Sequence, residues 1–144
     1  MTSKGIEIGN LNESAKVIPT DKPYILTNMM RFHETAQYAP DFPGKAQLSG
    51  REAYLIYKDA FLARAAELGI TAVEFVFLGQ AHTNLALGPH HGESWDLILL
   101  VRFQNFAAFR TVLEDKVYLN EITPHRLAAM QDFRSFAVTE LSGF

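Results

Sequence analysis

Cysteine is absent from the 144-residue chain, which excludes disulfides, thiolate metal sites and cysteine nucleophiles. Basic runs are missing too. Thirteen Lys and Arg stand against sixteen Asp and Glu, for a net charge of −3, so no surface for gripping nucleic-acid phosphates is expected. The longest purely apolar run, Leu97 to Val101, is far too short to span a bilayer. Met1 to Ala15 is charged and asparagine-bearing, without the apolar stretch of a signal peptide. These absences together lead us to expect a cytoplasmic protein with neither a nucleic-acid nor a membrane partner. There is also no G-x-S-x-G elbow, phosphate loop or dinucleotide fingerprint. His90 and His91 are adjacent in a loop and no H-x-x-x-H pair exists, so no metal site is expected.

Apolar residues make up 48% of the chain and charged residues 20%, a globular composition. At 16.2 kDa surface scaling gives roughly 7,500 Å² folded against roughly 23,500 Å² unfolded, so about 68% of the surface can be buried. One domain with an ordinary core fits these figures. The surplus is aromatic, with eleven phenylalanines and five tyrosines.

Residues 1–22 read as a polar arm, either disordered or laid over a groove of a partner subunit, and residues 23–144 as a single domain. Tyr24 to Phe32 is a strand opened by Pro23. Alternation puts Leu26, Asn28, Met30 and Phe32 on one face and Ile25, Thr27, Met29 and Arg31 on the other. The loop His33 to Leu48 is long enough for a lid or a subunit contact. Ser49-Gly50-Arg51-Glu52 is a capping box, and its helix runs to about Leu68, where Gly69 is a natural stop. Ile70 to about Asn84 reads as a second strand in which Gly79 marks a bulge or close approach. Trp95 to Phe103 is a third strand, apolar on both faces except for Asp96 and Arg102. Asn105 caps a helix to about Asp115, Thr123-Pro124 reads as N-cap and N1 of a short helix, and Phe133 to Leu141 is the last strand.

The order β-α-β-β-α-β, with one extra short helix, is the α+β ferredoxin-like unit: a four-stranded antiparallel sheet with both helices on one face. Its strands show little polarity on either side. The uncovered face therefore calls for a second subunit, and a homodimer is expected, with higher assembly through the 33–48 loop left open.

Several segments resemble a known group: Leu26 to Phe32, Ser49 to Tyr54, Trp95 to Phe103, and Tyr118-Leu119 followed by His125-Arg126. The group is the dimeric α/β-barrel superfamily and, within it, domain-of-unknown-function family 1330, with the resemblance covering about residues 24 to 141. It implies two sheets packed face to face and a small organic ligand in a cavity beside each sheet. Superfamily members include cofactor-independent monooxygenases, haem-degrading enzymes, and isomerases or cyclases of aromatic and polyketide compounds. The haem-degrading branch uses an Asn on the first strand, a Trp on the third and a His on the next helix. Asn28 and Trp95 match loosely, but no histidine lies between Asn105 and Asp115, so no cofactor is expected.

Within that frame Asn28, Tyr54 and His125 are the candidate catalytic residues, with Arg31, Tyr57, Trp95, Arg102 and Arg126 as ligand-binding candidates. A polar group inside an apolar strand needs a partner. Asn28 either aims its amide at a ligand carbonyl or satisfies a neighbouring backbone group, and Arg31 either holds an anion or pairs with a carboxylate at the sheet edge. Tyr54 and Tyr57, three apart, share a helical face and serve either as packing or as proton donors to an oxyanion. Arg102 is too far from Asp96 along an extended strand to pair with it, so a carboxylate on an adjacent element is its expected partner. Trp95 is either an anchor of the core or interface or a cavity wall. His125 and Arg126 open the short helix, where an acidic ligand group or a cap over the cavity are both accommodated. The reading is a homodimer binding a small organic molecule beside Asn28, Tyr54, Tyr57, Trp95 and His125. Either cofactor-free chemistry, non-catalytic ligand binding or a purely structural dimerisation role follows from it.

Overall fold

The computed structural model describes residues 8–42, 47–89 and 91–143; Pro43, Gly44 and His90, which figure in the sequence reading, lie outside them. Four strands, β1 (Tyr24–Phe32), β2 (Val73–Gln80), β3 (Leu97–Phe103) and β4 (Met130–Val138), form one antiparallel sheet in the order β2-β3-β1-β4. Helices α1 (Leu11–Val17), α2 (Gly50–Glu67), α3 (Phe106–Leu113) and α4 (Thr123–Ala129) complete the chain. The ferredoxin-like α+β fold read from the sequence is the fold observed. Among the described residues no helix is long and apolar enough to cross a membrane.

Alternation decides which side chains go under the helices. Tyr24, Asn28, Met30 and Phe32 of β1 and Leu99, Val101 and Phe103 of β3 are all buried. The helix face is fastened by aromatic packing, with Phe103 and Phe109 centroids 4.6 Å apart and Phe61 against both. Such pairs contribute about 0.5–1.5 kcal/mol each beyond their area burial.

The capping box forms as read: Ser49 Oγ accepts from the Glu52 amide at 3.0 Å and Glu52 Oε1 from the Ser49 amide at 2.9 Å. Gly50 follows because the backbone comes very close there. Its amide donates to the His33 carbonyl at 3.1 Å, and a Cβ would stand 2.3 Å from that oxygen and 2.7 Å from the Ala129 carbonyl. This contact pins the start of α2 to the ends of β1 and α4.

Five boundaries differ from the sequence reading, the simplest being that β3 begins at Leu97 rather than Trp95. The arm holds a helix, α1, capped by Asn10 Oδ1 on the Glu13 amide at 3.0 Å, with Leu11, Ala15 and Ile18 against the core. Strand β2 is shorter than Ile70–Asn84, and its register shifts between Phe75 and Phe77, three residues before Gly79. The close approach is at Gly79 itself, where the Phe77 ring occupies the space of a Cβ. Strand β4 begins at Met130 rather than Phe133. Thr123 does not cap α4, because the chain is already helical: residues 116–129 run continuously through a π-helical turn, Tyr118–Ile122, so no free amides await a cap.

Candidate functional site

Between the helix face of the sheet and α1, α2, α3 and α4 lies a cavity of about 310 Å³. Its walls are mainly apolar: Leu26, Leu99 and Val101 from the sheet, Phe61, Phe106 and Phe109 from the helices, Leu11 and Ile18 from the arm. The polar groups that reach it are Asn28, Tyr54, Tyr57, Tyr118, Arg126, Ser14, Lys58 and Ser135.

Asn28 is 7% exposed and its hydrogen bonds are taken. Its amide nitrogen donates to the Leu99 carbonyl at 3.1 Å and the Leu26 carbonyl at 3.4 Å, and its Oδ1 accepts from Ser135 Oγ at 2.8 Å. It lines the cavity as a satisfied strand residue.

Tyr54 and Tyr57 project from α2 at the expected three-residue spacing, with ring centroids 5.5 Å apart. The Tyr57 hydroxyl shares a 2.9 Å hydrogen bond with the hydroxyl of Tyr118, a fully buried residue of the π-helical turn. That turn is held from outside the cavity. Asp115 accepts both prongs of the Arg64 guanidinium at 2.8 Å and the Tyr118 amide at 2.9 Å. Hydrogen bonding to Arg64 lowers the Asp115 carboxyl to about 2. Burial raises the pKa of both Tyr54 and Tyr57, and Tyr118 adds to the effect. Both phenols are therefore neutral at physiological pH.

Arg126, from α4, is 5% exposed, and its Nε and Nη1 are buried with no hydrogen-bond partner among the described residues. Its guanidinium lies 5.9 Å from the Tyr57 ring centroid and 5.8 Å from that of Phe133. Burial works against its charge, but the neighbouring Tyr57 and Tyr118 outweigh that and its pKa is raised. Taking an ion out of water costs several kcal/mol unless a counter-charge answers it. Among the described residues no carboxylate pairs with Arg126.

The remaining candidates are elsewhere. His125, next to Arg126, turns to the other side of α4. Its Nδ1 is 2.7 Å from the Tyr38 hydroxyl, and the Tyr38 and Phe42 rings pack edge-on against it. It does not line the cavity, because neighbours on a helix diverge by about 100°. Trp95 does not line it either. Arg134, on the outer face of the sheet, stacks over its ring at 5.3 Å, so Trp95 and Asn28 are not brought together. Arg31 and Arg102 point to the outer face as well, where Arg31 meets Asp132 at 3.7 Å and Arg102 pairs with Glu74 on β2. Arg102 thus has its expected carboxylate partner, and of the two alternatives for Arg31 the structure shows the carboxylate pair. Among the described residues no cluster of histidines and carboxylates is arranged to hold a metal.

Tyr118, noted only for the family resemblance, is not among the candidate site residues because Thr123-Pro124 marks a helix start, which assigns residues 118 and 126 to separate elements. The usable signal was their spacing of eight, which brings two residues toward one side only if the intervening chain is helical.

No family model matches the sequence, and no curated protein matches it. Two crystal structures are similar to it along nearly its whole length. One, of a methylated RPA0582 protein, is 26% identical with a TM-score of 0.77, covering 99% of this chain and 98% of that one. The other, of the RPA0582 protein of unknown function from Rhodopseudomonas palustris, is 26% identical with a TM-score of 0.73, covering 95% and 97%.

Proposed function

We propose that this protein binds a small organic molecule, aromatic or polyketide-like, in the cavity between sheet and helices, and that it works as a homodimer of the α/β-barrel type. The single observation that carries the reading is the cavity itself: an aromatic-walled space of about 310 Å³ with a few convergent polar groups, the usual composition of a small-molecule site. Its volume is at the low end for such sites, which suits a ligand of one or two rings. The neutral phenol of Tyr57, hydrogen-bonded to the Tyr118 hydroxyl, equips the same space to give a proton to an enolate or phenolate.

The outer sheet face supports the dimer. Phe77, Phe136 and Val138 are exposed there, and Ile25, Met29, Ile98 and Leu100 are only half-buried. Charges at the margin of the face are paired within the chain, Arg102 with Glu74 and both Arg31 and Arg134 with Asp132. Such a face meets its own copy without strong repulsion.

A thermal-shift screen of aromatic acids, phenols and polyketide-like ketones tests the ligand reading, since a molecule that binds only the folded state raises Tm. Ala137 lines the cavity from β4, and Ala137→Phe should abolish the shift produced by the best compound. A screen with no stabilising compound, or shifts unaffected by Ala137→Phe, would overturn the reading.

A further inference from the structure

The charges around the cavity are one-sided. The chain has sixteen Asp and Glu against thirteen Lys and Arg, yet among the described residues no carboxylate lines the cavity, whereas Lys58 and Arg126 do. Lys58 is half-buried, has Asp59 3.8 Å away and reaches over the Phe75 ring, so its charge is partly answered by solvent and neighbour. Arg126 is different. It is only 5% exposed, and two of its three guanidinium nitrogens lack a hydrogen-bond partner among the described residues. Its neighbours are the Tyr57 and Phe133 rings and the phenols of Tyr57 and Tyr118. Phenols and ring faces attract a cation without neutralising it. A guanidinium presents a planar fork of donors whose best complement is a carboxylate.

Resting on the reading of the cavity as a small-molecule site, we infer that its ligand is an anion: a one- or two-ring organic carboxylate whose charged group is received by Arg126. The carboxylate accepts from an unpartnered guanidinium nitrogen, Nε or Nη1, while Phe61, Phe106 and Phe109 enclose the ring. Tyr57 and Tyr118, already bonded to each other, offer a hydroxyl beside the same group. Arg126 thereby sets specificity by charge and the aromatic wall sets it by shape.

Matched probes separate this inference from the reading beneath it. Naphthalene-2-carboxylate and cinnamate, with their primary amides and with the neutral 2-naphthol, are titrated calorimetrically into the 144-residue chain and into Arg126→Met, Arg126→Lys and Ala137→Phe. The expected result is that the acids bind at least tenfold more tightly than their amides. Arg126→Met should erase that preference while still binding 2-naphthol, and Arg126→Lys should retain part of it. Because Met removes an unanswered buried charge, the ligand-free Tm of Arg126→Met should equal or exceed that of the parent, which also verifies folding. If acids and amides bind alike, or if the preference survives in Arg126→Met, the anion inference falls while the cavity reading stands. If neither acids nor neutral probes bind, or if Ala137→Phe binds them as the parent does, both fall.

Discussion

The two faces of the one sheet handle charge and apolar surface in opposite ways. On the helix face, Tyr24, Met30, Leu99, Val101 and Phe103 are buried within the chain, and Arg126, a cation of the cavity wall, has no acid beside it among the described residues. On the outer face Phe77, Phe136 and Val138 stay exposed, and every arginine, Arg31, Arg102 and Arg134, has a carboxylate within reach. Exposed ion pairs cost little to form and contribute little, a median of about 0–1 kcal/mol, so their presence outside reflects proximity. An unanswered ion inside is expensive, so its presence signals something the chain alone does not supply. One face lacks a counter-ion and the other lacks a cover.

The largest expected effect breaks the outer face. Leu100→Glu puts a carboxylate at the middle of the proposed interface and its copy opposite, where like charges cost several kcal/mol. Light scattering should give twice the 16.2 kDa of one chain for the parent and a single-chain mass for the variant. A parent that already runs as a single chain at micromolar concentration removes the dimer. On the helix face, Gly50→Ala drives a methyl into the His33 and Ala129 carbonyls and should destabilise the fold by about 3 kcal/mol, the upper part of the usual overpacking range. Chemical denaturation measures it, and a change below about 1 kcal/mol would show that the α2–α4 contact yields easily.

Smaller losses sharpen the contrast inside the cavity. Asn28→Ala leaves the Leu99 carbonyl and the Ser135 hydroxyl without their partner, at a cost of about 1–3 kcal/mol. The ligand-free Tm should fall, while the acid-over-amide preference set by Arg126 persists. The smallest effect concerns pH. The Asp115 carboxyl is held at about 2 by Arg64, below its ordinary 3.8, so its stabilising contribution is complete above the ordinary value. That contribution is lost as pH falls through the folded value. An NMR titration should place Asp115 near 2 in the parent and closer to its ordinary value in Arg64→Gln, with a shallower loss of stability between pH 4 and 2 in the variant. An unchanged Asp115 titration would mean that Arg64 does not hold it.

Much of this fold was legible because period-2 alternation and caps are local. Pro23 opens β1, Ser49 and Glu52 fix the start of α2, and the apolar runs at Tyr24 and Leu97 need no knowledge of their neighbours. The expected partners of Arg31 and Arg102 were legible as well, since strand parity places them on the outer face. The candidate site was legible only in part. Tyr54, Tyr57, Asn28 and Arg126 do converge on one cavity, whereas His125 and Trp95 turn away from it. The 100° step between adjacent helical residues separates His125 from Arg126, and the approach to β3 sets Trp95 against Arg134. Tyr118 was hidden by a π-helical turn that no capping or periodicity rule marks.

Sequence alone determined the order of the four strands and of the helices that join them, the antiparallel sheet and the surplus of apolar surface, because each follows from spacing along the chain. It also determined that no chemistry here rests on a thiol, since cysteine is absent. Only the tertiary structure decided that Arg126 stands in an aromatic cavity without an acid among the described residues, while Arg31, Arg102 and Arg134 have theirs outside. Whether a charge is answered depends on which distant side chains share its few ångströms. That is settled by packing between elements, which no local pattern records.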